Sequence, residues 1–202
     1  MALILVMVLL TGLYMAALLG TFALYANRVL LPGQAGTVVA RTVGVMITII
    51  GLVTALVQVV LLKPVVGYLG ERKAVLLSCF LLLVSAAGLF VFSSLWAFIA
   101  FMVVFAPGTG IMAPTLQALL TYLGGERMAG WMLGWYQSMF SLALILGPIF
   151  GGLVFDAVSP HAVYAANVGL LVLALVLSIG MQRLPLPKVE KPQEAMHLHF
   201  HH

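Results

Sequence analysis

A chain of 202 residues that is 64% hydrophobic and only 7% charged, with a mean hydropathy of +1.22, is excluded from the water-soluble globular class, whose domains carry about 25% charged side chains. Its net charge of +4, from nine basic and five acidic residues, is accounted for by basic loops flanking membrane spans and calls for no nucleic-acid partner. The single cysteine excludes an intrachain disulfide.

Six apolar runs follow in chain order, near residues 2–25, 43–62, 74–92, 95–122, 133–155 and 162–182. Each is close to the ~20 residues with which a helix crosses a hydrocarbon core. A transmembrane barrel would instead show alternating segments of about ten residues. The first run lacks a basic start and outlasts the apolar stretch of a signal peptide, so it is expected to be a retained span. Cys79 falls inside the third run and is expected to be a small core residue. Residues 1–184 are thus expected to form one six-helix transmembrane domain. Beyond Gln182 the sequence becomes RLPLPKVEKPQEAMHLHFHH, where Pro185, Pro187 and Pro192 interrupt any helix. Residues 185–202 are expected to be a flexible cytoplasmic tail. His197, His199, His201 and His202 are the residue type that captures a divalent metal, yet a solvated tail is the favoured explanation, and no metal site or cofactor is assigned.

Basic residues orient the spans. If the runs alternate in direction, Lys63, Arg72, Lys73, Arg127, Arg183, Lys188 and Lys191 share one side, while Arg28 and Arg41 lie opposite. Because short cytoplasmic loops accumulate Lys and Arg, both termini are expected in the cytoplasm, in a multi-pass protein of a bacterial inner membrane. Trp131, Trp135, Tyr68 and Tyr122 fall near the inner boundary and Tyr25, Trp96 and Tyr164 near the outer one, where amphipathic rings settle.

Polar and small residues inside the runs recur at helical spacing. The first run carries Thr11, Tyr14, Thr21 and Tyr25; the second Gly44, Thr48, Gly51, Ala55 and Gln58. The fourth carries Pro107, Gly110, Pro114, Gln117 and Thr121, and the fifth Gly134, Gln137, Ser141, Pro148 and Gly152. Runs three and six show much less. This pattern suggests that spans one, two, four and five surround a common feature while three and six face lipid. Tyr14, Thr48, Gln58, Gln117, Gln137 and Ser141 are candidates for lining a cavity or a helix interface. The competing explanation for the glycines is close helix packing, and for Gln58 and Gln117 interhelical hydrogen bonding.

An internal echo also appears. LLKPVVGYL at 61–69 parallels ILGPIFGGL at 145–153, matching Pro64 with Pro148, Gly67 with Gly151 and Leu69 with Leu153. The two lie at the ends of spans two and five, as in an inverted repeat of two three-helix units.

GYLGERKAVLL between spans two and three, GIMAPTLQALL in span four and GWYQSMFSLALILGPIFGGLVFD in span five, in that order and spacing, resemble the C-terminal six-helix half of a major facilitator superfamily transporter of the tetracycline and drug antiporter type. The resemblance implies an all-α membrane fold, a 3+3 inverted repeat, and solute transport by alternating access. It also implies a gating role for the cytoplasmic loop after span two, here Gly67, Gly70, Glu71, Arg72 and Lys73. That segment is shorter than the family pattern, which has an Asp followed by a Gly and paired basic residues. Anchoring by Arg72 and Lys73, with Glu71 as counter-ion, is the other explanation.

Family members surround their substrate path with two six-helix halves, and this chain supplies one. It is therefore expected to need a membrane-protein partner: a second copy, a complementary N-terminal half, or a larger complex. Two functions remain open, a half-transporter for a small amphipathic solute and a non-transporting structural or assembly subunit. A fragment of a longer transporter is a third possibility. No cluster of nucleophile, base and oxyanion donors lies at membrane depth, so an enzyme is not expected.

Overall fold

The computed structural model describes residues 1–183, apart from the side chain of Glu126, and the tail expected at 185–202 lies outside the described residues. Where the chain turns, it does so at glycine or serine. Gly70 (φ 76°, ψ 160°) and Gly125 (φ 64°, ψ 177°) adopt backbone angles that a side chain excludes. Ser94 and Ser159 are extended, and their hydroxyl oxygens accept the N–H groups of Ala97 and Ala162 at 3.2 and 3.1 Å. Both act as helix N-caps, and Pro160 follows where a missing N–H is harmless.

Between these stops run six helices long and apolar enough to cross a membrane: α1 (Ala2–Leu30), α2 (Gly36–Leu69), α3 (Glu71–Val91), α4 (Leu95–Gly125), α5 (Arg127–Ala157) and α6 (Pro160–Gln182). The chain is thus an integral, multi-pass, all-helical membrane protein. Several helices outlast the apolar runs, α2 and α5 most of all, because hydropathy marks only the part in hydrocarbon. A helix that has begun propagates at little cost through flanking polar residues, until a residue such as Gly70 stops it.

Two helices contain a widened turn. The Leu31 N–H donates to the Ala26 carbonyl at 2.9 Å, and the Leu62 N–H donates to the Val57 carbonyl, each five residues back. The second lies just before Pro64, which has no N–H to offer Val60 and whose ring crowds that carbonyl.

Small residues decide which helices meet. A Cβ built on Gly12 would lie 2.7 Å from Ala143 Cβ, one on Gly20 2.9 Å from Pro148, and one on Gly147 would run into Ala16. These contacts close α1 onto α5. On the other side, Gly110 of α4 packs on Thr54 and Val57 of α2. Tyr14 meets Phe105, and Phe22 stacks on Phe98 at 5.3 Å, joining α1 to α4. The result is a row, α2–α4–α1–α5. Behind it, α3 packs on α4 through Gly88 against Phe101 and Leu82 against Gly108, with Ser85 Oγ donating to the Phe101 carbonyl at 2.8 Å. α6 packs on α1 through Tyr164 against Tyr25, and on α3.

Exchanging helices one to three for four to six maps this contact scheme onto itself. The α1–α5 contact becomes α4–α2, α1–α6 becomes α4–α3, and α1–α4 and α3–α6 each map onto themselves. This is the pairing of a 3+3 inverted repeat.

Candidate functional site

The free side of the row is where polar residues lack neighbours. In α2, Gly44, Thr48, Gly51, Ala55 and Gln58 are all exposed. No described atom comes within 4 Å of a Cβ placed on Gly44 or Gly51. Thr48 satisfies its hydroxyl on the Gly44 carbonyl at 2.9 Å, while Gln58, in the widened turn, is an exposed polar side chain of this stripe. In α5, Gly134 and Gln137 are exposed, with no described atom within 4 Å of a Cβ on Gly134, while Ser141 is half-buried.

The other two stripes behave differently. Gln117 of α4 is half-buried, and its side chain sits beside the phenol of Tyr136, which is 5% exposed. In α1 the stripe points inward: Thr11, Tyr14, Thr21 and Tyr25 are all buried within the bundle. Tyr14 therefore belongs to the packed interior, and the open face is built mainly by α2 and α5, the flanks of the row.

A cleft of about 40 Å³ lies between α1, α4 and α5, lined by Thr11, Gly12, Met15, Thr109, Met112 and Tyr136 among others. It has room for a few water molecules, whereas small-molecule pockets are about 300–1,000 Å³. A wider groove of about 420 Å³ runs along α5 over Gly130, Trp131, Gly134, Trp135 and Ser138. Its sides are a single helix face, with the two indoles edge to face at 5.7 Å.

Two polar ties hold opposite ends of the bundle. At one end Arg28 Nη1 lies 3.3 Å from Asp156 Oδ1, joining α1 to α5, and the guanidinium sits 5.0 Å from the centre of the Phe155 ring. The partners are 55% and 69% exposed, so water screens the pair and it contributes little. At the other end Gln182 Nε2 donates to the Arg72 carbonyl at 2.9 Å, and Arg72 Nη1 donates to the Gln182 carbonyl at 3.3 Å, joining α3 to α6. Of the loop candidates, Gly67 is open, Gly70 is the corner itself, Glu71 begins α3 where its charge suits the helix dipole, Arg72 makes this tie, and Lys73 is exposed.

Two features are absent from the hydropathy reading. YLGER at 68–72 has a counterpart in YLGGER at 122–127, and both place a positive-φ glycine immediately before Glu-Arg at a helix start. The two corners are thus the same device, visible as a near-repeat. Further, α3 and α6 are not uniform: Ser78 and Ser85, and Asn167 and Ser178, are buried. They are spaced seven and eleven residues apart, about two and three helical turns.

Comparison with known proteins gives this geometry a family. The chain is 29% identical over 141 residues to the tetracycline resistance protein, class E, of Escherichia coli, covering 67% of this chain and 34% of that protein. It is 24% identical over 130 residues to an uncharacterised MFS-type transporter, YvkA, of Bacillus subtilis (strain 168), covering 62% and 29%. These matches span about a third of the length of either relative. The family model of the Major Facilitator Superfamily matches residues 13–201. With six spanning helices paired as a 3+3 repeat, the chain belongs to the Major Facilitator Superfamily of membrane transporters.

Proposed function

We propose that this six-helix unit acts as half of a transporter. Its open face, carried by α2 and α5 with the exposed side of α4, closes against a second six-helix unit to form a path for a small amphipathic solute, moved by alternating access. The observation that carries this reading is the stripe Gly44–Thr48–Gly51–Ala55–Gln58, exposed along its whole length on a helix otherwise suited to lipid. An amide such as Gln58 gains nothing from hydrocarbon, whereas a facing helix or an enclosed aqueous path satisfies it. The cleft of about 40 Å³ supports the same reading, since a drug-sized solute needs further walls.

In this reading Gln58, Gln117, Gln137, Thr48 and Ser141 line the seam or the path, and Tyr14 holds α1 behind it. Gly67, Gly70, Glu71, Arg72 and Lys73 form the cytoplasmic junction that shifts between states. The ends bearing Arg72 and Arg127 face the cytoplasm of a bacterial inner membrane. No described carboxylate sits mid-span, since Glu71 and Asp156 lie at helix ends, so a coupling proton would be carried by the partner unit. The second reading, a structural subunit of a larger membrane complex, draws on the connection between α2 and α3, reduced to Gly70 alone.

Native mass spectrometry of the protein extracted from its own membrane, followed by flux measurement in liposomes, separates the two. A complex with a second six-helix unit that moves solute, and loses flux on Gln58→Leu, is the expected result. A stable complex without flux leaves the structural reading. A stable, active monomer indifferent to Gln58→Leu and Gly134→Ile would overturn both.

A further inference from the structure

Behind the row, six side-chain atoms are buried with no hydrogen-bond partner among the described residues: the phenol oxygens of Tyr14, Tyr25 and Tyr164, both amide atoms of Asn167, and Ser178 Oγ. Other buried hydroxyls find a backbone carbonyl, Ser85 that of Phe101 across the α3–α4 contact and the rest within their own helix. Thr11, Thr21, Ser78 and Thr115 each donate to the carbonyl four residues back, at 2.6–2.9 Å. A tyrosine cannot do so, because its hydroxyl stands a full ring away from its own backbone, and Asn167 has two donors and an acceptor to satisfy.

Three of these residues share one seam. Tyr25 of α1 meets Tyr164 of α6 edge to face, with ring centres 4.7 Å apart, and Asn167 follows Tyr164 on the same face of α6, three residues deeper. Tyr164 and Asn167 are 1% and 0% exposed. In the other direction His161, half-buried, sets its ring edge-on to Tyr25 at 5.8 Å. The column therefore runs from the bundle surface, at the end bearing Arg28, into the interior. Its apolar neighbours Phe22 and Phe98 offer no hydrogen bonds. Ser93 lies beside Tyr25 without hydrogen-bond geometry.

We infer that the α1–α6 seam at Tyr25, Tyr164 and Asn167 is an internal water-binding site, filled past His161. Water is the ligand that fits this set of groups. Two phenols and a carboxamide present donors and acceptors on one seam and carry no charge, and water both donates and accepts. A buried polar group that finds no partner loses its hydration without return, and a bound water supplies that partner.

Radiolytic hydroxyl-radical labelling of the protein in lipid nanodiscs tests this, because radicals formed from bound water oxidise the side chains that hold it even where bulk solvent is excluded. Phe22 and Phe98 are internal controls, being 2% and 0% exposed and packed against the same seam. Tyr25 and Tyr164 are expected to label at least roughly fivefold faster than these phenylalanines, as bound water would dictate. A smaller difference overturns the inference. In Asn167→Leu, labelling of Tyr164 is expected to fall about threefold as the water loses an anchor, and unchanged labelling there removes Asn167 from the site. The wild-type comparison stands whether or not that variant folds.

Discussion

Arg72 and Gln182 grip each other twice across the α3–α6 contact, side-chain amide to backbone carbonyl at 2.9 Å and guanidinium to backbone carbonyl at 3.3 Å. The first residues of α3 are thereby tied to the last of α6, at the end where most of the basic residues collect. Replacing Gln182 with Leu removes the amide's hydrogen bonds to the Arg72 and Ser178 carbonyls, a loss of about 1 kcal/mol. Thermal unfolding in detergent is expected to shift down accordingly. An unchanged midpoint would mean that the tie is passive.

The corner glycines make a sharper prediction. Gly70 and Gly125 occupy backbone angles open essentially to glycine alone, so Gly70→Ala and Gly125→Ala should each cost about 1–3 kcal/mol. No described atom lies within 4 Å of a Cβ at either site, which makes crowding irrelevant and strain the sole cause. Equal stability in chemical denaturation of the alanine variants and wild type would refute this account.

Glycines of the same helix are expected to differ by environment. A Cβ on Gly147 collides with Ala16 and approaches the Ala17 nitrogen to 2.9 Å, whereas one on Gly134 meets nothing described within 4 Å. Gly147→Leu should therefore destabilise the six-helix unit by about 1–3 kcal/mol or more. Gly134→Leu should stay within about 0.5 kcal/mol of wild type and act instead on partner association, scored by native mass spectrometry. The opposite ranking in unfolding measurements would place the α1–α5 seam wrongly.

The proposed sidedness, argued from the distribution of basic residues, is directly testable. Gln34 and Lys73 are exposed at opposite ends of α2 and its corner, and the native Cys79 is buried. Single cysteines at the two positions should react with an impermeant thiol reagent from opposite sides of the membrane, Gln34→Cys from outside. Reaction of Lys73→Cys from outside in intact cells would reverse the orientation.

The number and nature of the helices were legible because a long apolar run leaves a chain few options in lipid, and the residues of GPIFGG could be matched to KPVVGY without coordinates. The open stripe of α2 was legible for the same reason, since spacing alone puts Gly44, Thr48, Gly51, Ala55 and Gln58 on one side. Spacing does not say toward what a stripe turns. The α1 stripe has the same rhythm yet is buried against neighbours contributed by residues 98–105 and 143–164, a choice made by tertiary packing. Helix ends were misjudged where polar residues such as Arg41 and Lys63 continue a helix beyond the apolar run. The matched repeat positions also differ in setting: Gly151 touches Thr21 and Ala17, while nothing described approaches Gly67.

A corner made of one residue has no slack. At Gly70 and Gly125 the end of one long helix and the start of the next are separated by a single swivel, so neither α2 and α3 nor α4 and α5 can drift apart at that end. Tilting a flank of the row must drag the adjoining helix with it, and the tie between Arg72 and Gln182 passes that pull on to α6. At this end α2, α3 and α6 are geared in series and α4 is geared to α5, so displacement of the α2 flank is felt at α6, at the back of the bundle, without any loop to absorb it.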